Sequence, residues 1–301
     1  MHSLTYQLKA NPCCICGSNE SKVIFPACMD NSSQTTYAFS ARRKRDIQHF
    51  QIVRCGNCGL VRSDPILSYE KTLNLYRNSQ FLYEKESEFA ASKYFSLLKI
   101  VLARLTNDSQ ILEVGCGDGA LLYQLFRAGY HNVQGVEPSH QAVSKSNGLI
   151  ASLIKEQPFD PSLYHPESFS LIAGFHLLDH LHNPNTFVSD AHKLLTNKGF
   201  LFVACHNERA LSARILKEQS PIYDVEHTFL FDKASLAKLL ESNGFEILTL
   251  KSYWNTYPFE YWTRMLPFVR KYLDNFPSKI KTIKLLLPAG NMFVLAQKIA
   301  G

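Results

Sequence analysis

The run Ile111-Leu112-Glu113-Val114-Gly115-Cys116-Gly117-Asp118-Gly119-Ala120 constrains this chain more than any other. An apolar stretch from Ser109 to Val114 stops at three alternate glycines. It then passes into Leu121-Leu122-Tyr123-Gln124-Leu125-Phe126, where apolar residues return at helical spacing. That order is strand, tight turn, helix. Glycine suits such a turn because it takes φ > 0 and has no Cβ to hold a ligand off the backbone. The turn brings free N–H groups and a helix N-terminus above the strand. Twenty residues after Gly117, Glu137 closes a second apolar strand, Asn132-Val133-Gln134-Gly135-Val136. A carboxylate there is placed to accept both hydroxyls of a ribose.

On spacing alone, Gly115-x-Gly117-x-x-Ala120 also fits a dinucleotide fingerprint. Glu113 argues against it: a carboxylate two residues before the first glycine faces a pyrophosphate badly, but suits a ligand with an amino group and a sulfonium. The pattern resembles the class I S-adenosylmethionine-dependent methyltransferases, whose first motif runs E-x-G-x-G-x-G and whose second strand ends in an acid. Glu113, Gly115, Gly117, Gly119 and Glu137 carry that resemblance. It implies an α/β fold, a Rossmann-like seven-stranded, mostly parallel sheet with helices on both faces. It also implies S-adenosylmethionine held by those residues with Cys116 and Pro138.

Composition adds bounds. At 301 residues the chain has length for about two domains. No apolar run approaches ~18 residues, so no spanning helix is expected. The first ten residues lack the apolar core of a signal peptide, so a cytoplasmic protein is expected. There, the eight cysteines are better read as ligands or plain thiols than as disulfides. The net charge of +6 suits an anionic small-molecule acceptor, such as a sugar- or nucleotide-linked compound, and is too small to establish nucleic-acid binding.

Cys13-Cys14-Ile15-Cys16-Gly17 and Cys55-Gly56-Asn57-Cys58-Gly59 are two C-x-x-C-G turns. Cys13, Cys16, Cys55 and Cys58 make a four-thiolate set suited to a closed structural zinc, with a redox pair or unligated thiols as the alternatives. Only Cys13, not Cys14, keeps the two-residue spacing. Between the turns, Phe50 to Arg54 alternates as a ribbon strand. The charge run at 42–45 reads as a solvated loop or an anion- or RNA-contacting patch. The run Cys58-Gly59-Leu60-Val61-Arg62-Ser63-Asp64-Pro65 resembles the C-G-L-x-x-x-x-P segment of zinc-ribbon methyltransferases, many from cell-surface sugar and secondary-metabolite pathways. The expected organisation is a zinc ribbon at 1–64, a helical connector or lid at 65–105 and a methyltransferase domain at 106–301. Tyr69, Tyr76 and Tyr83 are candidate lid aromatics.

The catalytic region follows a βαβ rhythm, which implies a parallel sheet. A short third strand near Ala151 to Ile154 leads to Glu156 and Gln157, which the resemblance places by the adenine. A fourth strand, Phe169 to Phe175, empties into His176-Leu177-Leu178-Asp179-His180. Ligands sit beyond the carboxyl ends of parallel strands, so chemistry is expected there, and His176 is a candidate for cofactor contact as well. The run compares with the E-x-x-E-H of metal-dependent O-methyltransferases, but imidazole replaces a carboxylate. General base, ligand of a softer metal and helix-capping polar residue stay open. His227, after Glu226, either shares that pocket or bonds a backbone carbonyl. Phe200 to Cys205 reads as strand five, Asp232 as an N-cap, Phe245 to Leu250 as strand six and Asn291 to Lys298 as the antiparallel closing strand. A helical insertion at about 253–288, rich in aromatics, is expected over the acceptor. Lys279, Lys281 and Lys284 beside Ile280 and Ile283 suit a membrane surface or partner. The other readings are an RNA methyltransferase, a silent binding module on the same fold, and a dinucleotide-dependent oxidoreductase.

Overall fold

The computed structural model describes residues 8–29, 39, 48–81, 84–265 and 277–299. The basic run at 42–45, Tyr83, and Pro267 with Phe268 lie outside the described residues. In chain order the strands and helices are β1 (Leu8–Lys9), β2 (Ser21–Phe25), β3 (Ile52–Cys55), β4 (Val61–Ser63), β5 (Ile66–Leu67), α1 (Tyr69–Arg77), α2 (Glu84–Leu102), β6 (Ile111–Val114) and α3 (Ala120–Arg127). They continue as β7 (Val133–Val136), α4 (His140–Ser144), β8 (Ile154–Lys155), β9 (Phe169–Phe175), α5 (Pro184–Leu194), β10 (Leu195–His206), α6 (Leu211–Leu216) and β11 (Phe229–Leu230). The last are α7 (Lys233–Glu241), β12 (Phe245–Pro258), α8 (Phe259–Met265), α9 (Ser278–Lys281) and β13 (Lys284–Lys298).

The seven-stranded sheet runs β12-β13-β10-β9-β6-β7-β8. The five strands from β10 to β8 are mutually parallel, and β13 is antiparallel to both β10 and β12. The run from Ile111 to Val114 is therefore the middle one of the five parallel strands. Strand order reverses between β6 and β9, which opens a crevice at their carboxyl ends. Core residues cover both faces. Leu112, Val114, Leu201 and Val203 pack with α5 and α7, while Ile111, Leu171 and Phe202 pack with α2 and α3.

Two boundaries differ from the sequence reading. Strand five begins at Leu195, which pairs with Phe169 before a register shift brings Phe200 onto Leu171. The insertion at about 253–288 is less helical than expected. Strand β12 continues through Tyr253, Asn255 and Tyr257, which are buried on alternate positions, and pairs with β13 from Lys284 onward. Among the described residues only α8 and α9 are helical there. Pro258 ends the edge strand β12, where a missing N–H is tolerated.

The cysteine-bearing segment forms a four-stranded sheet, β11-β4-β3-β2. One of its strands, β11, comes from the far end of the chain, immediately after Glu226-His227-Thr228. Strand β4 pairs with it through Arg62↔Phe229 and Val61↔Leu230. Cys13, Cys55 and Leu60 bury in the same core as Phe229 and Phe231. The ribbon is thus stitched into the wall of the crevice.

Helix α7 starts as the sequence indicates. Asp232 accepts the Ser235 N–H at 2.7 Å, and the Ser235 hydroxyl oxygen accepts the Asp232 backbone N–H at 2.9 Å, completing a capping box. Asp232→Ala is expected to lower stability by about 1–2 kcal/mol, since α7 buries Leu236, Leu239 and Leu240. Urea unfolding with an unchanged midpoint would contradict that role.

Candidate active site

A cavity of about 930 Å³ lies over the carboxyl ends of β6, β7, β9 and β10. One half is built by the glycine turn. Gly115, Gly117 and Gly119 take φ of +73°, +57° and +72°, left-handed values that favour glycine. Gly117 donates its N–H to Glu137 Oε2 at 3.0 Å, and Ser139 donates its N–H to Glu137 Oε1 at 2.8 Å. The carboxylate that closes β7 therefore ties the glycine turn to the start of α4. Gly135 lets the glycine turn and α3 close onto β7: a Cβ there would stand 2.6 Å from both Cys116 Sγ and Leu122 Cδ1. Asp118 accepts from Ser87 Oγ at 2.7 Å and from the Ala120 N–H at 3.2 Å, which latches α2 onto the turn.

Glu113 is 4% exposed, and its Oε2 is buried without a hydrogen-bond partner. Burial, then the fields of Asp118 and Glu137, push its carboxyl well above the usual range. An orphaned carboxyl of this kind on a cavity wall suits a cationic group of a ligand. Glu137 is raised as well, by burial first, against the opposing N–H donors of Ser139 and Gly117. Gly115, Cys116, Gly117, Glu137, Pro138 and His176 line the cavity.

Three expected cofactor residues stand elsewhere. Gly119 is not in the lining: it caps α3, and a Cβ there would meet Ile150 Cδ1 at 2.5 Å, so its role is to close the turn. Glu156 bonds His140 Nδ1 at 2.9 Å on the exposed side, and neither it nor Gln157 reaches the cavity. The chain turns outward after Lys155, and Pro158 and Phe159 supply the lining in their place.

The other half of the cavity gathers histidines. His176, directly after β9, takes φ +51° and donates its backbone N–H to the Ala204 carbonyl at 2.7 Å. Such a backbone conformation in a non-glycine residue is stored strain held by its surroundings. The His176 and His206 rings lie 4.5 Å apart, His206 and His227 5.0 Å, and His227 and His180 4.8 Å. The four imidazoles form one chain along the wall. His206 Nδ1 donates to Asp179 Oδ2 at 2.6 Å. His227 Nδ1 donates to the Ile222 carbonyl at 2.7 Å, which leaves the lone pair on Nε2. His180 Nδ1 meets the Tyr76 hydroxyl at 2.7 Å and stands 3.6 Å from Glu226 Oε2.

Burial works against charge on Asp179, but the His206 hydrogen bond and the neighbouring imidazoles outweigh it and hold the carboxyl well below its usual range. Burial lowers His180 to about 3, with Asp179 only partly opposing. His227 is lowered too, by burial and then by His206. A carboxylate set among imidazoles can hold a proton, orient a nucleophile or hold a cation.

Candidates from two distant stretches, 176–180 and 227, thus converge. His206, Glu226, Asn255 and Asn291 complete the wall and were not among the expected site residues. The signal for His206 was present, because it ends a parallel strand just as His176 does. Asn291 faces His206 across the β10–β13 pairing and carried no motif.

The four ribbon cysteines converge as well. Cys13 and Cys58 Sγ lie 3.3 Å apart, and Cys16 and Cys55 Sγ 3.5 Å apart. Burial would raise Cys55, but N–H donors from Cys58 and Asn57 and the Cys16 thiol bring it down to about 7.

A sequence profile of a methyltransferase domain matches residues 87–250, more than half of the chain, and the chain belongs to that family. No curated protein matches in a sequence search. Many solved structures share the fold. A Bacillus halodurans C-125 structure described as a methyltransferase is 18% identical, with a TM-score of 0.50 over 68% of this chain and 99% of its own. An Archaeoglobus fulgidus SAM-dependent methyltransferase is 16% identical, with a TM-score of 0.49 over 71% of this chain and 97% of its own. A Synechocystis PCC 6803 magnesium protoporphyrin IX methyltransferase, solved with bound SAH, is 14% identical, with a TM-score of 0.48 over 74% and 90%. No helix among the described residues is long and apolar enough to cross a membrane.

Proposed function

We propose that this protein transfers the methyl group of S-adenosylmethionine to a small-molecule acceptor, with a structural zinc in its N-terminal ribbon. The observation that supports this best is Glu137. Its two oxygens gather the Gly117 and Ser139 N–H groups at the mouth of the first two strands, beside the orphaned carboxyl of Glu113. Lone pairs remain on Glu137 for two ribose hydroxyls. Glu113 answers the amino-acid end, directly or through water. Gly115, Cys116, Gly117 and Pro138 give the cofactor its backbone bed.

The cofactor supplies an electrophilic methyl on sulfur, and its leaving group becomes neutral. Alignment matters more than an oxyanion hole. His176, His180 and His227 stand at the acceptor end, with Asp179 buried behind them, and together they handle the proton of its nucleophilic atom. Tyr76 and Glu226 orient His180, and the Ile222 carbonyl fixes the tautomer of His227. The lining includes Tyr257 and Tyr261, which suit the apolar face of a sugar or ring. The positive net charge favours an anionic or nucleotide-linked acceptor.

The proposed units are the ribbon at 1–64, the connector at 65–105 and the transferase domain from 106. Cys13, Cys16, Cys55 and Cys58 fit zinc, because four thiolates without a position for water make a closed site. Calorimetry with S-adenosylmethionine is expected to show one site per chain, with Kd of about 100 μM or tighter. Absence of binding, or binding of NAD in its place, would overturn the reading.

A further inference from the structure

The geometry points to a second metal site, for a divalent first-row transition ion, formed by Asp179, His180 and His227 at the acceptor end of the cavity. The inference rests on the transferase reading for its consequence, though not for its observations. One carboxylate oxygen and one nitrogen from each imidazole lie within 4.8 Å of one another. Small side-chain rotations bring such a set around an ion held at about 2.0–2.2 Å. Two imidazoles with one carboxylate leave coordination positions open, the donor set of ions softer than Mg²⁺.

The surroundings make this more than a loose cluster. Each of the three residues already has the outer partner that orients a ligand. Asp179 receives His206 Nδ1 on Oδ2 at 2.6 Å, while its Oδ1 is buried with no hydrogen-bond partner. Asp179 is 1% exposed, so that orphaned oxygen has no recourse to solvent. His227 spends Nδ1 on the Ile222 carbonyl and keeps Nε2. His180 Nδ1 lies 2.7 Å from the Tyr76 hydroxyl, and donating its proton there leaves the Nε2 lone pair for an ion. The Thr228 hydroxyl donates to the Leu181 carbonyl at 2.7 Å, and the backbone at Asp179 is pinned as well, because its carbonyl accepts the Thr228 N–H at 2.8 Å. That bond fixes the 178–180 turn against the 227–228 segment, so the two halves of the donor set are held in register. His176, Asp179 and His206 form an overlapping set. There, however, the short His206–Asp179 hydrogen bond occupies the facing atoms, which suits His206 to the outer role.

An ion here faces the same cavity as the glycine turn and takes an acceptor hydroxyl as a further ligand. Coordination lowers the proton affinity of that oxygen. The proton leaves to water, and an oxygen lone pair forms the new bond to the methyl carbon. The carbon–sulfur bond breaks with its electron pair going to sulfur. His180 and His227 then act as ligands, and the ion does the work a free imidazole base would otherwise do.

The test is Co²⁺ added to the purified full-length protein with its ribbon metal in place, read by visible absorption. A nitrogen and oxygen site gives ligand-field bands without the intense thiolate charge transfer that cobalt in the ribbon would show. One equivalent of such binding is expected in the wild type. Asp179→Asn and His227→Gln should each weaken it at least ~100-fold, and His206→Asn about 10–100-fold as an outer partner. His180→Gln provides a further ligand variant should either of the first two fail to fold. His140→Ala, on the exposed side, should change nothing. Absence of the ligand-field bands, or undiminished binding in the folded ligand variants, would overturn the site. S-adenosylmethionine calorimetry on the same samples separates the two claims. Cofactor binding without cobalt binding removes only the ion, and cobalt binding without cofactor binding removes only the transferase reading.

Discussion

Cys55→Ser is expected to unfold the ribbon and to destabilise the whole chain. Native protein should carry one zinc, and the variant should lose it. Structural zinc in small thiolate sites is worth about 10–16 kcal/mol of apparent binding free energy, comparable to the ~5–15 kcal/mol that holds a typical protein folded. The loss cannot stay local. Cys55 ends β3, β3 pairs with β4, and β4 pairs with β11, which begins two residues after His227. Ser63 of β4 also donates its hydroxyl to the His227 carbonyl at 2.7 Å, and Asn11 donates its side-chain N–H to the Ser63 carbonyl at 2.9 Å. The ribbon therefore holds the acceptor wall in place. Chelation should reproduce the effect, with a shift in melting temperature of roughly 10 °C or more for a loss of several kcal/mol. A variant that melts like the wild type, together with a native protein free of metal, would remove zinc from the account.

That coupling between ribbon and acceptor wall was not legible in the sequence. The two C-x-x-C-G turns showed where four thiolates meet, because ligand spacing is local. Nothing local in Phe229-Leu230 says that it pairs with Val61 and Arg62, some 167 residues earlier by the Phe229↔Arg62 register. Two-residue strands have no period of their own. The glycine turn and Glu137 were legible for the opposite reason: a βα turn must place its residues at one end of the strand, whatever the rest of the chain does. The same rule reached His176 and Asp179 through β9. Applied to β10 it reaches His206, whose Nδ1 lies 2.6 Å from Asp179 Oδ2. Glu156 and Gln157 were placed by resemblance alone, with no local rule fixing which way the chain leaves β8, and there the structure departs. The long β12–β13 hairpin was expected as a helical insertion, because its pairing joins two stretches that share no local signal.

The sharpest consequence for the cofactor falls on Glu137. Glu137→Ala removes the acceptor of the Gly117 N–H at 3.0 Å and of the Ser139 N–H at 2.8 Å, so two backbone donors facing the cavity lose their partner. It also removes the oxygens assigned to the ribose. Hydrogen bonds to a charged group contribute about 1.5–3 kcal/mol, so S-adenosylmethionine affinity should fall by roughly 10–150-fold. Glu137→Gln separates the two contributions. The amide keeps one oxygen but turns an N–H₂ group toward a backbone donor, so it cannot satisfy Gly117 and Ser139 together. It should therefore lose most of the affinity despite its nearly identical shape. Because the side chain also braces the turn, thermal melting of both variants must accompany the calorimetry. A small shift in melting temperature with a large loss of affinity marks a residue that grips the ligand. The reverse pattern, near-native affinity with lowered stability, would make Glu137 a turn brace and would leave the ribose to other groups in the cavity.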